Sequence, residues 1–298
     1  MMGGVTVIIA EIGECWNGDV ARAEALIDVA ARAGCDYAKF QMLDPDGVAD
    51  DDPERDWFRK VALDERQLCH LQAVATSRGI GFLVTPEKVH QVPLLLQLGC
   101  SAIKIASSCL TDDDLLRAID GRFSRVFLST GLADLNEIDR AVALLARVGD
   151  LYLLHCIAEY PTGVLLQERG PLPLDDEDVH LAMMSILAGR YPNARVGYSD
   201  HTVGFAAPLA AVAAGAEVIE KHITLDRTTP LLNLATGGQY LGTDHALALE
   251  PDELSSLVSQ IRHVERMLGD RTWRRSEGEL KLRSFLRQRF HDDALRRS

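Results

Sequence analysis

The sequence predicts an α/β protein built as a single-domain TIM (β/α)8 barrel. Short apolar runs alternate with longer amphipathic segments, eight such runs can be counted, and polar residues collect where the runs end. Alternating strands and helices indicate a parallel sheet, and eight units in roughly 270 residues match the usual barrel length of about 250 residues. A doubly wound sheet rarely needs eight evenly spaced units.

The predicted strands are short runs of β-branched and other apolar residues, a pattern typical of strands buried on both faces. In chain order they span residues 5–10, 37–41, 81–84, 102–105, 126–129, 151–155, 195–199 and 218–221. Their interiors contain almost no charge, which favours a parallel sheet covered by helices.

Amphipathic or alanine-rich segments separate the strands and predict the helices. The clearest ones span residues 21–33, 64–78, 135–147, 206–214 and 252–268. Several end at a glycine suited to a helix C-cap, Gly34 among them. We expect the barrel to occupy residues 1–270 and a charged, partly helical tail to occupy residues 271–298. Residues 164–178 and 228–241 are long for loops that follow strands, so we expect them on the face where barrels carry their chemistry.

Composition excludes several classes of protein. The 298 residues are 47% hydrophobic, enough for a full core, and their net charge of −13 would repel nucleic acid and anionic membranes. An anionic substrate must therefore be held by a local cluster of cations. The six cysteines are scattered without CxxC pairs, and neither a secretory segment nor a membrane span is evident. We expect a cytoplasmic protein with reduced thiols.

Two histidines follow neighbouring predicted strands and suggest a metal site. His201 follows the seventh strand and His222 follows the eighth, with Asp200 and Glu220 close by. A single histidine of this kind is more often a hydrogen-bonded core residue, but a pair at the carboxyl edge of a parallel sheet favours ligation. Imidazoles with oxygen co-ligands suit Mn²⁺, Fe²⁺, Co²⁺ or Zn²⁺. His155 ends the sixth strand, and its direction, toward the core or the barrel lumen, is left open.

Two lysines interrupt apolar strands and suggest an anion pocket. Lys39 and Lys104 must each meet an anion or lose their charge in a buried strand. One such lysine would more often belong to a structural ion pair. Two of them on nearby strands, with Ser107 and Ser129 close behind, favour a phosphate or carboxylate site. A Schiff-base role for either lysine stays open, although it is less expected beside a metal.

Nine motifs in order resemble those of the sialic acid synthase (N-acetylneuraminate synthase) family, from about residue 6 to residue 270. They are Ala10-Glu-Ile-Gly, Lys39-Phe-Gln, Thr85-Pro, Lys104-Ile-Ala-Ser, Leu128-Ser-Thr-Gly, Leu154-His-Cys with Tyr160-Pro-Thr, Gly197-Tyr-Ser-Asp-His-Thr, Glu220-Lys-His-Ile-Thr and Gly242-Thr-Asp-His. Nine motifs in sequence order make the resemblance highly specific.

The resemblance implies a metal-dependent transferase that condenses phosphoenolpyruvate with an N-acetylated amino sugar, N-acetylmannosamine or a modified relative. The products would be a nonulosonic 2-keto acid and phosphate, the metal would be Mn²⁺, and the protein would be a homodimer. The metal ligands would be His201 and His222. The catalytic residues would be Glu11, Lys39, Lys104, Tyr160 and Asp244. The substrate-binding residues would be Gln41, Ser107, Ser129, His155 and Asp200.

Departures from the family pattern concern the sugar pocket more than the metal pocket. Cys15 and Trp16 replace an Asn-His pair, Ala158 replaces an asparagine that helps to bind phosphoenolpyruvate, and Cys109 replaces a glutamate. These changes suggest an acceptor other than N-acetylmannosamine. Many relatives carry a C-terminal antifreeze-like domain that donates an arginine to the partner's barrel, and we expect this chain to lack it. A separate capping protein or the long loops would then cover the site, or the acceptor needs no such arginine.

Two alternative functions stay open. The first is a condensing enzyme for a phosphorylated sugar, which would need extra arginines at the acceptor end, and no compelling cluster is evident. The second is a barrel that binds a ligand or a partner protein without turnover, as Ala158, Cys109 and the missing cap suggest. Retention of Glu11, both lysines and both histidines weighs against the second alternative.

Overall fold

A sheet of eight parallel strands curves into a nearly closed barrel. The fold comes from a computed structural model, which describes residues 5–47, 55–159, 174, 176–228, 232–233, 239–240, 244–270 and 272–295. The barrel strands are β1 (Val7–Glu11), β2 (Tyr37–Met42), β3 (Gly81–Pro86), β4 (Ala102–Ile105), β5 (Arg125–Ser129), β6 (Asp150–Cys156), β7 (Arg195–Asp200) and β8 (Val218–His222). Hydrogen bonds join them in the order β3-β2-β1-β8-β7-β6-β5-β4, and β3 packs beside β4. The predicted TIM barrel is confirmed.

The helices pack around this sheet or follow it. They are α1 (Val20–Ala33), α2 (Arg55–Val61), α3 (Glu65–Ser77), α4 (Val92–Gln97), α5 (Asp113–Ile119), α6 (Leu135–Leu144), α7 (Met183–Arg190), α8 (Ala206–Ala213), α9 (Pro251–Leu268) and α10 (Glu277–Leu295). The sequence did not single out α2, α4, α5 and α7, because helices of six to eight residues are too short to show a clear amphipathic period. Helix α8 is equally short, but its run of alanines predicted it. Two short strands, β9 (Leu232–Asn233) and β10 (Gln239–Tyr240), pair within the predicted long loop at residues 228–241.

Helix α1 shows how local sequence sets the element boundaries. The Asp19 carboxylate accepts hydrogen bonds from the backbone N–H groups of Ala21 and Arg22, which satisfies two donors at the helix start. Gly34 ends the helix with φ of 85°, a left-handed conformation that costs glycine little. The C-cap predicted at Gly34 is confirmed.

The barrel strands alternate between two apolar layers. Ile9, Phe127, Leu154 and Val218 belong to a cluster inside the barrel. Their strand neighbours, such as Ile219, belong to the larger core between the sheet and the helices. Since side chains alternate along a strand, the position two residues after each interior residue again faces the lumen. The next layer above the interior cluster is therefore the site.

The remaining helices add two observations. No helix in the described part of the chain is both long and apolar enough to cross a membrane. Helix α10 follows the barrel, and its described side chains up to residue 290 are exposed. The division predicted between a barrel at residues 1–270 and a tail at residues 271–298 stays a prediction.

Candidate active site at the carboxyl end of the barrel

A cavity of about 220 Å³ lies where the barrel strands end. Eight residues that the sequence assigned to the site line this cavity. They are Glu11, Lys39, Gln41, Lys104, Ser107, Ser129, His201 and His222. They come from six different strands or the turns that follow them, so the fold assembles them from distant parts of the sequence.

Two buried lysines share one buried carboxylate in this cavity. Lys39 Nζ lies 3.6 Å from Glu220 Oε2, and Lys104 Nζ lies 3.7 Å from Glu220 Oε1. Lys39 also pairs with the Glu11 carboxylate. Burial raises the pKa of Glu220, but the two ammonium groups and a hydrogen bond from Ser199 outweigh burial and lower it. Glu220 therefore remains an anion that draws the two lysines together.

Lys39 has a pKa lowered from its ordinary value to about 8. Burial is the largest cause, and the neighbouring charge of Lys104 adds to it, while Glu220 opposes both. The Lys39 ammonium can therefore lose its proton in a range close to neutral pH.

Lys104 is held in place by its neighbours on β4 and β5. Its Nζ donates a hydrogen bond of 2.7 Å to Ser129 Oγ and one of 3.1 Å to the Ile105 carbonyl. Ser199 Oγ in turn donates to Glu220 Oε1 at 2.8 Å. The ammonium, hydroxyl and carboxylate groups form one network, which fixes where an anionic ligand would find its donors.

The two predicted metal ligands lie side by side. The ring centroids of His201 and His222 are 5.4 Å apart, with the planes at 47°. His201 Nδ1 lies 2.8 Å from the Ile157 carbonyl, so that nitrogen carries a proton and Nε2 is the nitrogen that the neutral ring would offer. Burial lowers the pKa of His201, but the neighbouring Cys156 outweighs burial and raises it. Burial lowers the pKa of His222 well below its ordinary value, and the charges of His201 and Lys39 add to this effect. A neutral imidazole is the form that binds a metal.

The donor set at these histidines fits a divalent transition metal. Two imidazoles are ordinary ligands for such ions once His201 has given up its proton, and water or substrate oxygens can fill the remaining positions. Within the described ranges, no group of three or more His, Cys, Asp and Glu side chains is arranged to hold a metal. The chain would therefore supply fewer ligands than a closed structural site, and the metal site stays a prediction.

Asp244 lies next to the cavity. Its Oδ2 is 3.4 Å from His222 Nδ1. A Cβ added at Gly13 would lie 2.5 Å from Asp244 Oδ2 and 3.0 Å from Glu11 Oε1. Gly13 also has φ of 48°, so only glycine lets the backbone pass between these two carboxylates without strain. Tyr160, the other residue expected at the sugar, lies outside the described residues.

His155 and Asp200 are not brought into the cavity. Asp200 is buried on the helix side of β7, where Oδ2 accepts a hydrogen bond of 2.6 Å from Lys221 Nζ. Its Oδ1 accepts one of 2.8 Å from the Tyr198 hydroxyl. His155 Nε2 lies 2.8 Å from the Val179 carbonyl. His155 directly precedes Cys156, and Asp200 directly follows Ser199, and both of these neighbours line the cavity. Because side chains alternate along a strand, His155 and Asp200 point to the opposite face of the sheet. Neither residue lines this cavity, and the substrate contact predicted for both stays a prediction.

Several cavity residues were not assigned from the sequence. They are Thr85, Glu87, Ala106, Ser108, Leu132, Cys156, Ala158, Ser199 and Glu220. A usable signal existed for two of them, because Glu220 lies two positions before His222 and Ser199 lies two positions before His201. Glu87 follows β3, and its carboxylate accepts a hydrogen bond of 2.9 Å from the Asp44 backbone N–H. This contact joins two loops, and the pattern of apolar residues in the sequence does not predict contacts between loops.

The chain matches one protein family over most of its length. The model of the NeuB family matches residues 26–272. The chain belongs to the NeuB family. It is 36% identical over 295 residues to N,N'-diacetyllegionaminic acid synthase from Campylobacter jejuni, a match covering 93% of this chain and 81% of that protein. It is 30% identical to human N-acetylneuraminate-9-phosphate synthase, covering 89% of this chain and 72% of that protein.

A solved structure of similar fold agrees with this placement in the NeuB family. The N-acetylneuraminic acid synthetase of Leptospira borgpetersenii, crystallised with citrate, superposes with a TM-score of 0.81 at 29% identity. The match covers 99% of this chain and 94% of that one. The resemblance to sialic acid synthases predicted from the motifs is confirmed.

Proposed function

We propose that the protein condenses phosphoenolpyruvate with an N-acetylated amino sugar to give a nonulosonic 2-keto acid and phosphate. The observation that carries this proposal is the convergence of two buried ammonium groups and two imidazoles on one cavity. The names of the relatives, which are synthases of legionaminic acid and N-acetylneuraminate 9-phosphate, support the same reaction class. We place this reaction in a cytoplasmic homodimer.

Lys39 and Lys104 would hold the anionic groups of phosphoenolpyruvate. Both are nearly inaccessible to bulk solvent, so their attraction for an entering anion is weakly screened. Ser129, which already accepts a hydrogen bond from Lys104, and Ser107 add hydroxyl groups at the cavity wall. An ammonium that holds the phosphate in the ground state also stabilises the charge that develops as phosphate leaves.

The proposed reaction makes one C–C bond and breaks one C–O bond. C3 of phosphoenolpyruvate attacks the aldehyde carbon of the open-chain sugar, and the aldehyde oxygen takes up a proton. Water adds to C2 and gives up both of its protons, one to balance the proton taken up by the aldehyde oxygen and one to the leaving phosphate, as the C2–O bond to phosphate breaks. The 2-keto acid therefore has the composition of the acceptor plus pyruvate, and the bridging oxygen leaves with phosphate.

Glu11 is the residue proposed to move protons during these steps. Its carboxylate pairs with Lys39 on the adjacent strand and faces the cavity. It can orient the attacking water and accept its proton, or deliver a proton to the developing alkoxide. The neighbouring Lys39 ammonium would stabilise the negative charge of the Glu11 carboxylate between the two steps.

His201 and His222 would hold the divalent metal, which we expect to be Mn²⁺. When bound, such an ion supplies Lewis-acid polarisation of the sugar aldehyde. The Ile157 carbonyl would keep His201 in the tautomer that offers Nε2. Asp244, beside His222, and Tyr160 are proposed to contact the sugar, and Gln41 lines the same cavity.

The acceptor is proposed to differ from N-acetylmannosamine itself. Ala158 lines the cavity where the family pattern has an asparagine, so one amide is absent from the pocket wall. Cys15 and Trp16 are fully buried rather than presented to substrate. The pocket thus offers fewer polar partners than the family pattern implies, which favours a modified, less polar sugar.

Product analysis in labelled water tests the proposed function. The protein would be incubated with Mn²⁺, phosphoenolpyruvate and a panel of N-acetylated amino sugars, phosphorylated sugars and simple aldehydes in H₂¹⁸O. We expect phosphate release only with an acceptor, unlabelled phosphate, and a product heavier than acceptor plus pyruvate by the ¹⁸O that C2 takes from water. Failure across the panel would contradict the proposal and favour a binding protein. Labelled phosphate would indicate hydrolysis at phosphorus, and turnover restricted to phosphorylated sugars would support the alternative condensing enzyme.

A further inference from the structure

A second cavity of about 330 Å³ lies against the catalytic one, on the outer side of β5 and β6. Its wall is formed mainly by apolar side chains of α6, α7 and the turn after β5. Among them are Leu132, Ile138, Met183 and Ile186. Leu132 is 77% exposed, Ile186 is 53% exposed and Met183 is 45% exposed, an unusual concentration of accessible apolar surface for one rim of the barrel.

The two cavities share part of their walls. Leu132 and Cys156 line both of them. Gly131 stands at the boundary, because a Cβ at this position would lie 2.7 Å from Ser107 Oγ and 3.1 Å from the Ala158 Cβ. Ser107 and Ala158 belong to the catalytic cavity, whereas Gly131 lines the apolar one. The partition is therefore thin at Gly131, where residues with small side chains meet.

The apolar cavity presents little charge to a ligand. The Asp134 carboxylate on its wall caps α6 by accepting hydrogen bonds from the backbone N–H groups of Asn136 and Glu137. His155 is occupied at Nε2 by the Val179 carbonyl, and burial lowers its pKa, so it is neutral at pH 7. Neither group would oppose entry of an uncharged apolar substituent.

We propose that this cavity is a subsite for the acyl chain on the amino group of the acceptor sugar. The inference rests on the proposed function, because it takes the sugar to sit in the adjoining catalytic cavity. An acyl chain extending past Leu132 would exchange water for contacts with Met183 and Ile186. Each buried methylene would then improve affinity about fourfold, the ratio that corresponds to about 0.8 kcal/mol.

A series of acyl chains tests the subsite without requiring turnover. Calorimetry would compare the N-acetyl, N-propanoyl and N-butanoyl forms of mannosamine and of each other amino sugar in the panel on the whole protein, and ¹³C-methyl spectra would follow Met183. We expect affinity to rise about fourfold per methylene, with a chain-dependent shift of the Met183 methyl signal. Equal affinities along the series, absence of binding by every sugar, or a shift that ignores chain length would each overturn the subsite.

Matched variants separate the subsite from general effects on the fold. Met183→Trp should fill the cavity and abolish the preference for long chains, and Ile186→Ser should reduce it by removing apolar contact. Met267→Trp on α9, where Met267 is 68% exposed and lines neither cavity, should leave the preference intact. A preference that survives both cavity substitutions would also overturn the proposal. Phosphate release tests the proposed function separately, since it can fail while chain-dependent binding persists.

Discussion

At the scale of single residues, Lys39 gives the site a dependence on pH. Burial and the charge of Lys104 lower its pKa to about 8, against the opposing effect of Glu220. Its ammonium is therefore present below this value and lost as the pH rises through it. We expect kcat/KM for phosphoenolpyruvate to fall above about pH 8, since this quantity reports the free enzyme. A profile measured between about pH 6.5 and 9.5 checks this.

The Lys39→Arg variant is the control for that profile, because a guanidinium keeps its charge throughout the range. Its activity should be lower, since its shape differs, but the decline above about pH 8 should disappear. An unchanged decline in Lys39→Arg would contradict the role of this ammonium.

Lys104 is expected to contribute to anion affinity more than to folding. Lys104→Ala should weaken phosphoenolpyruvate binding about 10- to 100-fold, since hydrogen bonds to charged groups contribute about 1.5–3 kcal/mol. Isothermal calorimetry measures this change, and the far-ultraviolet spectrum reports folding. Lys281→Ala on the exposed helix α10 is the matched control and should bind normally. Unaltered affinity in Lys104→Ala would refute the assignment.

His201 and His222 are expected to bind metal as a pair. His201→Ala and His222→Ala should each lose most of the Mn²⁺ retained after dialysis, because a single remaining imidazole is a weak ligand. Elemental analysis measures the metal content directly. His263→Ala alters an exposed histidine of α9 and should retain the metal content of the unmodified protein. If both substituted proteins keep their metal, the ion binds elsewhere.

At the scale of elements, β7 and β8 carry cavity-lining residues on one face and a buried ion pair on the other. Ser199, Glu220 and His222 face the cavity, whereas Asp200 and Lys221 form a fully buried ion pair behind it. Lys221 also donates a hydrogen bond to the Thr202 carbonyl. The pair joins the residues that directly precede His201 and His222. We infer that it holds the ends of the two strands together.

Removing one partner of this pair should strongly destabilise the protein. Lys221→Met leaves the Asp200 carboxylate buried without its counterion, which typically costs about 3–5 kcal/mol. Urea denaturation measures the free energy of unfolding, and the double variant with Asp200→Asn should recover part of the loss. Arg190→Met breaks the exposed pair with Asp139 and should change stability much less. Equal losses in Lys221→Met and Arg190→Met would contradict the structural role of the buried pair.

Prediction from sequence succeeded best at the level of elements. All eight barrel strands lie where apolar runs predicted them, with ends shifted by at most two residues, as at β1. Helix α6 ends at Leu144 rather than at residue 147, because the chain turns at Leu145 before the apolar pattern stops. Such ends depend on packing against neighbours, which a local pattern does not contain.

At the scale of the whole molecule, the ligand is expected to stabilise the barrel. Lys39 belongs to β2 and Lys104 to β4, so a bound anion would link distant parts of the sheet. Phosphoenolpyruvate at about 100 times its dissociation constant should add about 2.7 kcal/mol and raise the Tm by several degrees. Thermal unfolding with pyruvate, which lacks the phosphate, is the control and should show little change. An equal shift with pyruvate would mean that the phosphate group is not what the lysines recognise.

The amino-acid sequence by itself determined the number and order of strands and the polar residues at their ends, because buried strands need apolar runs and parallel strands end at a common edge. Only the tertiary structure decided which of two adjacent polar residues faces the lumen. Cys156 and Ser199 face it, whereas His155 and Asp200 do not. The physical reason is the two-residue period of a strand: a shift of one position reverses the face, and the phase is set by packing across the whole barrel.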